Sequence, residues 1–340
     1  MTSMLQSPPT QKTVRLGFAG VGWIGLNRMK AALELDAVEA AALFDPSAQS
    51  LAAARERAPH AVVAATFEEL LEQELDGVVI ATPSALHASQ SIAALERGFA
   101  VFCQKPLART RQETEAVITA ARTADRLLMT DLSYRYIRGV DRMRALIQSG
   151  ELGTVYAADL TFHNAYGPDK PWFFDLAQSG GGCLIDLGTH LVDLSAFLLD
   201  AGPVDRVESR LFRQGRRLSL PISEVEDFAT ATWDHQDGPT VRLACSWNLS
   251  AGRDAVIEAA FHGTQGAVAL RNENGSFFDF SVEKYAGTNR ELLAEPDRGW
   301  NWGGGAIRDF SARLSHGNSY DSDGETLIDV ASILDRSYGR

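Results

Sequence analysis

Cysteine is scarce: Cys103, Cys183 and Cys245 are an odd number without CxxC spacing. That argues against a disulfide framework and a thiolate zinc site, and it fits a reducing cytoplasm. Histidine offers no metal cage either, because His163, His190, His235 and His262 are scattered without ligand spacing. Positive charge is in deficit. Thirty-two Lys and Arg against 44 Asp and Glu leave a formal charge of -12, which repels phosphate backbones and anionic membrane surfaces and disfavours nucleic acid as a partner. No run approaches the roughly 18 to 20 continuous apolar residues of a membrane span. Residues 1–13 have neither a basic start nor an apolar core, so they read as a short disordered lead rather than a secretion signal. The sequon matches Asn248-Leu249-Ser250 and Asn274-Gly275-Ser276 then read as chance.

What remains is a globular composition, with 45% hydrophobic and 22% charged residues over 340 positions. That length exceeds the usual single core, so two domains are expected. From Val14 to about Asp131 the apolar runs VRLGFA, VEAAALF, DGVVIAT, FAVFC and RLLMTD alternate with amphipathic helical stretches. This βαβα order predicts an α/β class, with a doubly wound parallel sheet of the Rossmann kind over 14–133. After Tyr134 the texture changes. Val140, Met143 and Ile147 keep a helical period, and beyond Pro203 the runs DRVESRLF, DFATATW, TVRLACSW, AVIEAAFH, GAVALR and FFDFSVEKY follow without helices between them. They predict an open, mainly antiparallel sheet in an α+β domain over 134–340, with Asp237-Gly238 and Asn274-Gly275 as hairpin turns. A last helix is expected at about 323–338, with Leu327, Val330, Ala331 and Leu334 on one face.

Gly20-Val21-Gly22-Trp23-Ile24-Gly25 satisfies GxGxxG between the first strand and a helix. Gly20 suits a tight turn, Gly22 a close approach of pyrophosphate to backbone, and Gly25 the packing of helix on strand. The alternative is a Gly-rich turn with no ligand. Asp45 follows the second apolar run, where a carboxylate accepts from adenosine ribose hydroxyls and repels a 2′-phosphate. No Lys or Arg follows before Arg55, so NAD is favoured over NADP. Thr82 and Pro83 end another strand at the sheet's carboxyl edge, the side that lines a cofactor crevice. His87 on the next helix reads equally as a ligand contact or as an ordinary helix histidine.

The whole pattern, from GVGWIG through TPSALH and QKPLA to GGGCLIDLGTHLVD and the strand-rich second half, resembles the Gfo/Idh/MocA oxidoreductases, the family of glucose-fructose oxidoreductase and inositol dehydrogenase. The resemblance covers almost the whole chain. Gln104-Lys105-Pro106 is similar to the family's Glu-Lys-Pro element, which implies that Lys105 reaches both nicotinamide ribose and substrate and that Pro106 follows a cis bond. Gln104 stands where the family has Glu, so a carboxylate near the lysine is lost. Asp186 and His190 are similar to the family's Asp and His pair. Four residues apart in a predicted helix, they are expected to share a face. Oxidising a carbinol carbon leaves a carbonyl only if the hydroxyl gives up its proton. The resemblance therefore implies His190 as general base or acid, with Asp186 orienting the ring or holding the substrate and Lys105 helping to carry the proton.

Substrate contacts are expected from the segment FHNAYGPDKPWFF, which holds His163, Asn164, Tyr166, Lys170 and Trp172 in a loop before the catalytic helix. Aromatic faces and amides together suit polyhydroxylated rings. Arg135, Trp300 and Trp302 are further wall candidates, and Arg253 reads either as an anion contact or as a surface ion pair. The expected substrate is a sugar, inositol or related polyol, and no metal is expected. A homodimer or homotetramer is expected through the open sheet, whose outer face is otherwise exposed. Two other readings stay open: an NAD-dependent glycosidase using transient oxidation, and a dinucleotide-sensing regulator without chemistry.

Overall fold

A computed structural model describes residues 13–297 and 302–340, so the expected lead and Trp300 fall outside the described residues, apart from Thr13. The first half alternates strand and helix: β1 (Val14–Ala19), α1 (Trp23–Ala32), β2 (Val38–Phe44), α2 (Ala48–Arg55), β3 (Val62–Val63), α3 (Phe67–Leu70), β4 (Gly77–Ile80), α4 (Ser84–Glu96), β5 (Ala100–Cys103), α5 (Arg111–Ala124) and β6 (Leu128–Thr130). The strands pair in parallel in the order β3-β2-β1-β4-β5-β6. Strands such as VRLGFA and GVVI carry little but apolar side chains because both faces of such a sheet are covered. Chain order reverses between β1 and β4, which opens a crevice at their carboxyl ends. Gly20, Asp45, Ala81, Gln104 and Asp131 follow β1, β2, β4, β5 and β6 in turn, so the first lobe points its chemistry at one edge.

The second half runs α6 (Val140–Gln148), β7 (Val155–Asn164), α7 (Leu176–Ser179), a π turn at Leu184–Gly188, α8 (Thr189–Leu199), β8 (Val204–Arg213), β9 (Arg216–Arg217), β10 (Phe228–His235), β11 (Thr240–Ser246), β12 (Ala255–Gly263), β13 (Ala267–Asn272), β14 (Phe280–Ala286), β15 (Asn289–Ala294), α9 (Gly305–His316) and α10 (Thr326–Tyr338). Its nine strands lie in the order β15-β14-β13-β12-β7-β11-β10-β8-β9. Only the β7–β11 contact is parallel among the pairs described. Strand alternation puts Ala158, Leu160 and Phe162 of β7, Ala229, Ala231 and Trp233 of β10 and Ile257, Ala259 and Phe261 of β12 into one core with α8. The helical run Leu176–Leu199 is apolar enough to cross a membrane, and it is mostly buried in that core.

The grouping of everything after residue 133 into one domain needs correction. Ala306, Ile307, Phe310 and Leu314 of α9 belong to the core of the first sheet, with the Phe310 ring 5.5 Å from that of Phe102 on β5. Leu327 of α10 joins the other face of that sheet, while Val330, Ile333, Leu334 and Tyr338 join the second core. The last two helices therefore pin the lobes together. A 3-10 turn at Ser322–Glu325 precedes α10, so that helix starts later than its apolar period alone implied.

Candidate active site

The glycine turn has the shape a dinucleotide requires. Gly20 sits at φ +83°, and a Cβ there would lie 2.5 Å from the Ala81 carbonyl oxygen. A Cβ on Gly25 would fall 1.9 Å from the Gly20 carbonyl oxygen, whereas one on Gly22 would meet nothing within 4 Å. Gly22 thus leaves open backbone at the start of α1, where free N–H groups and the helix dipole favour an anion. Asp45 accepts from Val21 N and Ser47 N, both at 2.8 Å, which fixes its carboxylate beside the turn. Trp23 is 74% exposed and Ile24 half-buried over the same turn.

Lys105 follows β5 and precedes a cis peptide bond to Pro106. Its Nζ donates at 2.8 Å to Asp186 Oδ1 and at 2.7 Å to the Asp186 carbonyl oxygen, so the two lobes meet at this pair. Asp186 Oδ2 takes the indole N–H of Trp247 at 3.0 Å. His190 stands one turn on, its ring 4.8 Å from Tyr134 and its Nδ1 enclosed without a partner among the described residues. Burial and the charges of Lys105 and Arg28 hold its pKa well below the ordinary 6.5, so the ring is neutral at pH 7. Of the two roles expected for Asp186, orienting this ring or holding the substrate, the first is not seen, since the carboxylate bonds Lys105 and Trp247. Leu184–Gly188, which carries Asp186, is a π turn leading into α8.

Three of the expected cofactor contacts make side-chain hydrogen bonds within the protein, and of these only His87 is buried. His87 is 1% exposed, with Nδ1 2.7 Å from the Pro106 carbonyl and Nε2 2.8 Å from the Thr82 carbonyl. It ties α4 to the lysine turn rather than lining a crevice. Gln104 Nε2 donates to Asp131 Oδ2 at 2.8 Å, and its Oε1 takes the Lys105 backbone N–H. Thr82 Oγ1 donates to Gln90 Oε1 at 2.7 Å, while Pro83 opens α4. Asp131 is fully buried and also takes Arg28 Nε at 2.5 Å. Arg28 and Asp131 carried no motif in the sequence; their signal is position, on the helix after the glycine turn and just beyond β6.

The substrate candidates divide. Asn164 ends β7 on the same side as Phe162, whose ring is 6.4 Å from His190, and its Oδ1 takes Tyr166 N. His163 lies one residue along and faces the opposite side of the sheet, bonded to Ser246 Oγ at 2.8 Å and stacked on Phe228. Both belong to the strand, not to the expected loop. Tyr166 bonds Asp254, Lys170 pairs with Asp169, and Trp172 stacks on Phe173 at 3.8 Å. Phe173 and Phe174 meet Trp247 edge-on, so this segment walls the site through Trp247, which sequence reasoning missed. Arg135 is a brace: it pairs with the buried Asp193 and lies over Phe197. Trp302 packs against Tyr134 and donates to the Phe278 carbonyl. Arg253 is exposed.

Residues 14–132 match a family model described as an oxidoreductase family with an NAD-binding Rossmann fold, and residues 140–269 match the GFO/IDH/MocA C-terminal domain. The chain belongs to the Gfo/Idh/MocA oxidoreductase family and is an NAD(P)-binding oxidoreductase. It is 30% identical over 263 residues, 76% of each chain, to a 1,5-anhydro-D-fructose reductase of Ensifer adhaerens. Its fold is similar to that of a levoglucosan dehydrogenase in complex with NADH, with a TM-score of 0.80 at 22% identity over 96% of this chain and 97% of that one. It is also similar to that of a 3-ketoreductase from Actinomadura kijaniata with NADP and TDP-benzene, with a TM-score of 0.81 at 20% identity over 95% and 96% of the two chains.

Proposed function

We propose that the chain interconverts a secondary alcohol and a ketone on a sugar, inositol or related polyol, with NAD as its cofactor. The observation that carries this reading is the bond from Lys105 Nζ to Asp186, made across the lobes at the carboxyl edge of the parallel sheet. Gly20, Gly22 and Gly25 would hold the pyrophosphate, and Asp45 the adenosine ribose. Held there, a nicotinamide would supply the site with hydride transfer in either direction. Everything else is done by the chain. Lys105 donates a hydrogen bond to the reacting oxygen, and Asp186 keeps the ammonium in place. His190, neutral because of its lowered pKa, accepts the hydroxyl proton in oxidation and returns it in reduction. Phe173, Phe174 and Trp247 offer ring faces to the apolar side of a polyol.

The relatives named for anhydrofructose and levoglucosan support a sugar-like substrate. The structural neighbours include both NADH and NADP complexes, so the preference for NAD rests on Asp45. The subunit arrangement we propose is a homodimer or homotetramer formed through the second sheet.

The test mixes purified protein with NAD or NADP and a panel of inositols, aldoses, amino sugars and sugar acids, following reduced nicotinamide spectrally. Net NADH from a free polyol supports the reading and separates it from transient oxidation in glycoside cleavage. His190→Ala is expected to lower kcat by about 100-fold or more, with NADH affinity little changed. Equal losses of affinity and rate would remove the assigned role. Because the His190 pKa is lowered, protonation of this ring is expected to limit oxidation only well below pH 6.5.

A further inference from the structure

The helical segment carrying Asp186 and His190 starts in the interior, where its first N–H groups have no water to bond. Gly182 N donates to Glu226 Oε2 and Leu184 N to Glu226 Oε1, both at 2.9 Å. Cys183 N donates to the Glu226 carbonyl oxygen at 3.2 Å, and Ile185 N donates to the Tyr338 hydroxyl at 3.0 Å. Tyr338 closes the ring by donating to Glu226 Oε1 at 2.9 Å. A helix leaves four N–H groups without an internal partner at its start. Here two residues from distant segments, each with 0% exposure, supply what a capping side chain normally supplies from the residue just before the helix.

The glycine run explains how they get in. A Cβ on Gly181 would lie 2.2 Å from the Tyr338 hydroxyl, and one on Gly182 would lie 1.8 Å from the Glu226 carbonyl oxygen. Both positions must lack a side chain for the external cap to close.

We propose that Glu226 and Tyr338 are positioning residues of the reaction centre, capping the catalytic helix from outside and so fixing where Asp186 meets Lys105. The inference rests on the reading that Lys105, Asp186 and His190 are the reacting set. Three donors converge on the Glu226 carboxyl, an arrangement suited to its ionised form. Burial works against them, and the group is pushed up to about 7. The other groups around it are the buried thiols Cys183 and Cys245, Arg340 over the Tyr338 ring, and Asp186 itself. Protonation places an O–H among donors and loosens the cap, so turnover rises as pH climbs through about 7.

The experiment follows kcat from about pH 5.5 to about pH 9, using whichever inositol, aldose or sugar acid turns over, in wild type, Glu226→Gln and Tyr338→Phe. Glu226→Gln is expected to lower kcat about tenfold and to erase the rising limb near neutrality. Tyr338→Phe keeps the ring and loses one donor to the carboxylate, so it moves that limb to higher pH. NADH affinity, set in the other lobe, stays unchanged in both. Hydrogen exchange of the amides of residues 182–185 reads the same ionisation without turnover: protection corrected for intrinsic exchange drops below pH 7 in wild type but not in Glu226→Gln. Folded variants with wild-type kcat and wild-type pH profiles would overturn the proposal, as would a wild-type exchange profile that is flat across pH 7. Should Glu226→Gln not fold, Tyr338→Phe decides. A panel without any turnover removes the proposed function, and the exchange measurement still decides the cap.

Discussion

Asp131 Oδ2 takes both Arg28 Nε and Gln104 Nε2, and that arrangement gives the Gln at position 104 a physical reason. A Glu there would set two carboxylates at the 2.8 Å now spanned by an amide hydrogen bond, and one of them would have to hold a proton. Gln104 instead donates, and the carboxylate facing Lys105 comes from Asp186 in the other lobe. Gln104→Glu is therefore expected to lower stability by about 2 kcal/mol at pH 8. The sign follows from linkage. The raised carboxyl pKa in the folded state makes the loss small below the unfolded value and full above the folded one. Urea unfolding at pH 5 and pH 8 checks this, and an equal loss at both pH values would count against the like-charge explanation. None of it was legible in the sequence, where Arg28, Gln104 and Asp131 are 103 and 27 residues apart along the two bonds that join them. Lys105, Asp186 and His190 could be grouped only because they fall on motif positions of the family the sequence resembles.

At the level of elements, the parallel sheet could be read from the sequence because strand and helix periods alternate there, and GxGxxG marked its first turn. Two features escaped. The π turn at Leu184–Gly188 leaves no periodic trace, and neither do the bonds that hold Asp186 on Lys105 and Trp247 rather than on His190. The other is α9, whose apolar period says that a face is buried without saying against which sheet. Its Ile307, Phe310 and Leu314 cover the first sheet, where Gly77 leaves room: a Cβ there would lie 3.0 Å from Leu314 and 3.2 Å from Phe310. Phe310→Ala is thus expected to cost about 3 to 5 kcal/mol and to destabilise the cofactor lobe, although it lies nearly 300 residues from the glycine turn (310 minus 20). Thermal unfolding with and without NADH tests this. A change under about 1 kcal/mol would mean that α9 is a dispensable cover.

For the whole molecule, the question is what meets the outer face of the second sheet. The inner face is filled by the core around α8. The outer one carries rows set by the strand register: Arg271, Glu258, Thr161, Ala244, Thr230 and Arg210 run straight across β13, β12, β7, β11, β10 and β8. The next row pairs Arg242 with Asp159, and His262 with the same carboxylate. This surface is more polar than the alternating apolar patch expected from the sequence. Small Thr and Ala side chains at its centre suit close approach of a second sheet, with ion pairs at the rim. In sedimentation at micromolar concentration the protein is expected to run as a dimer or tetramer. Thr161→Arg puts a long cation in the middle of that approach and should yield monomers that still bind NADH, while Thr161→Ala leaves the assembly intact. A wild-type monomer, or an oligomer indifferent to Thr161→Arg, would place the subunit contact elsewhere or remove it.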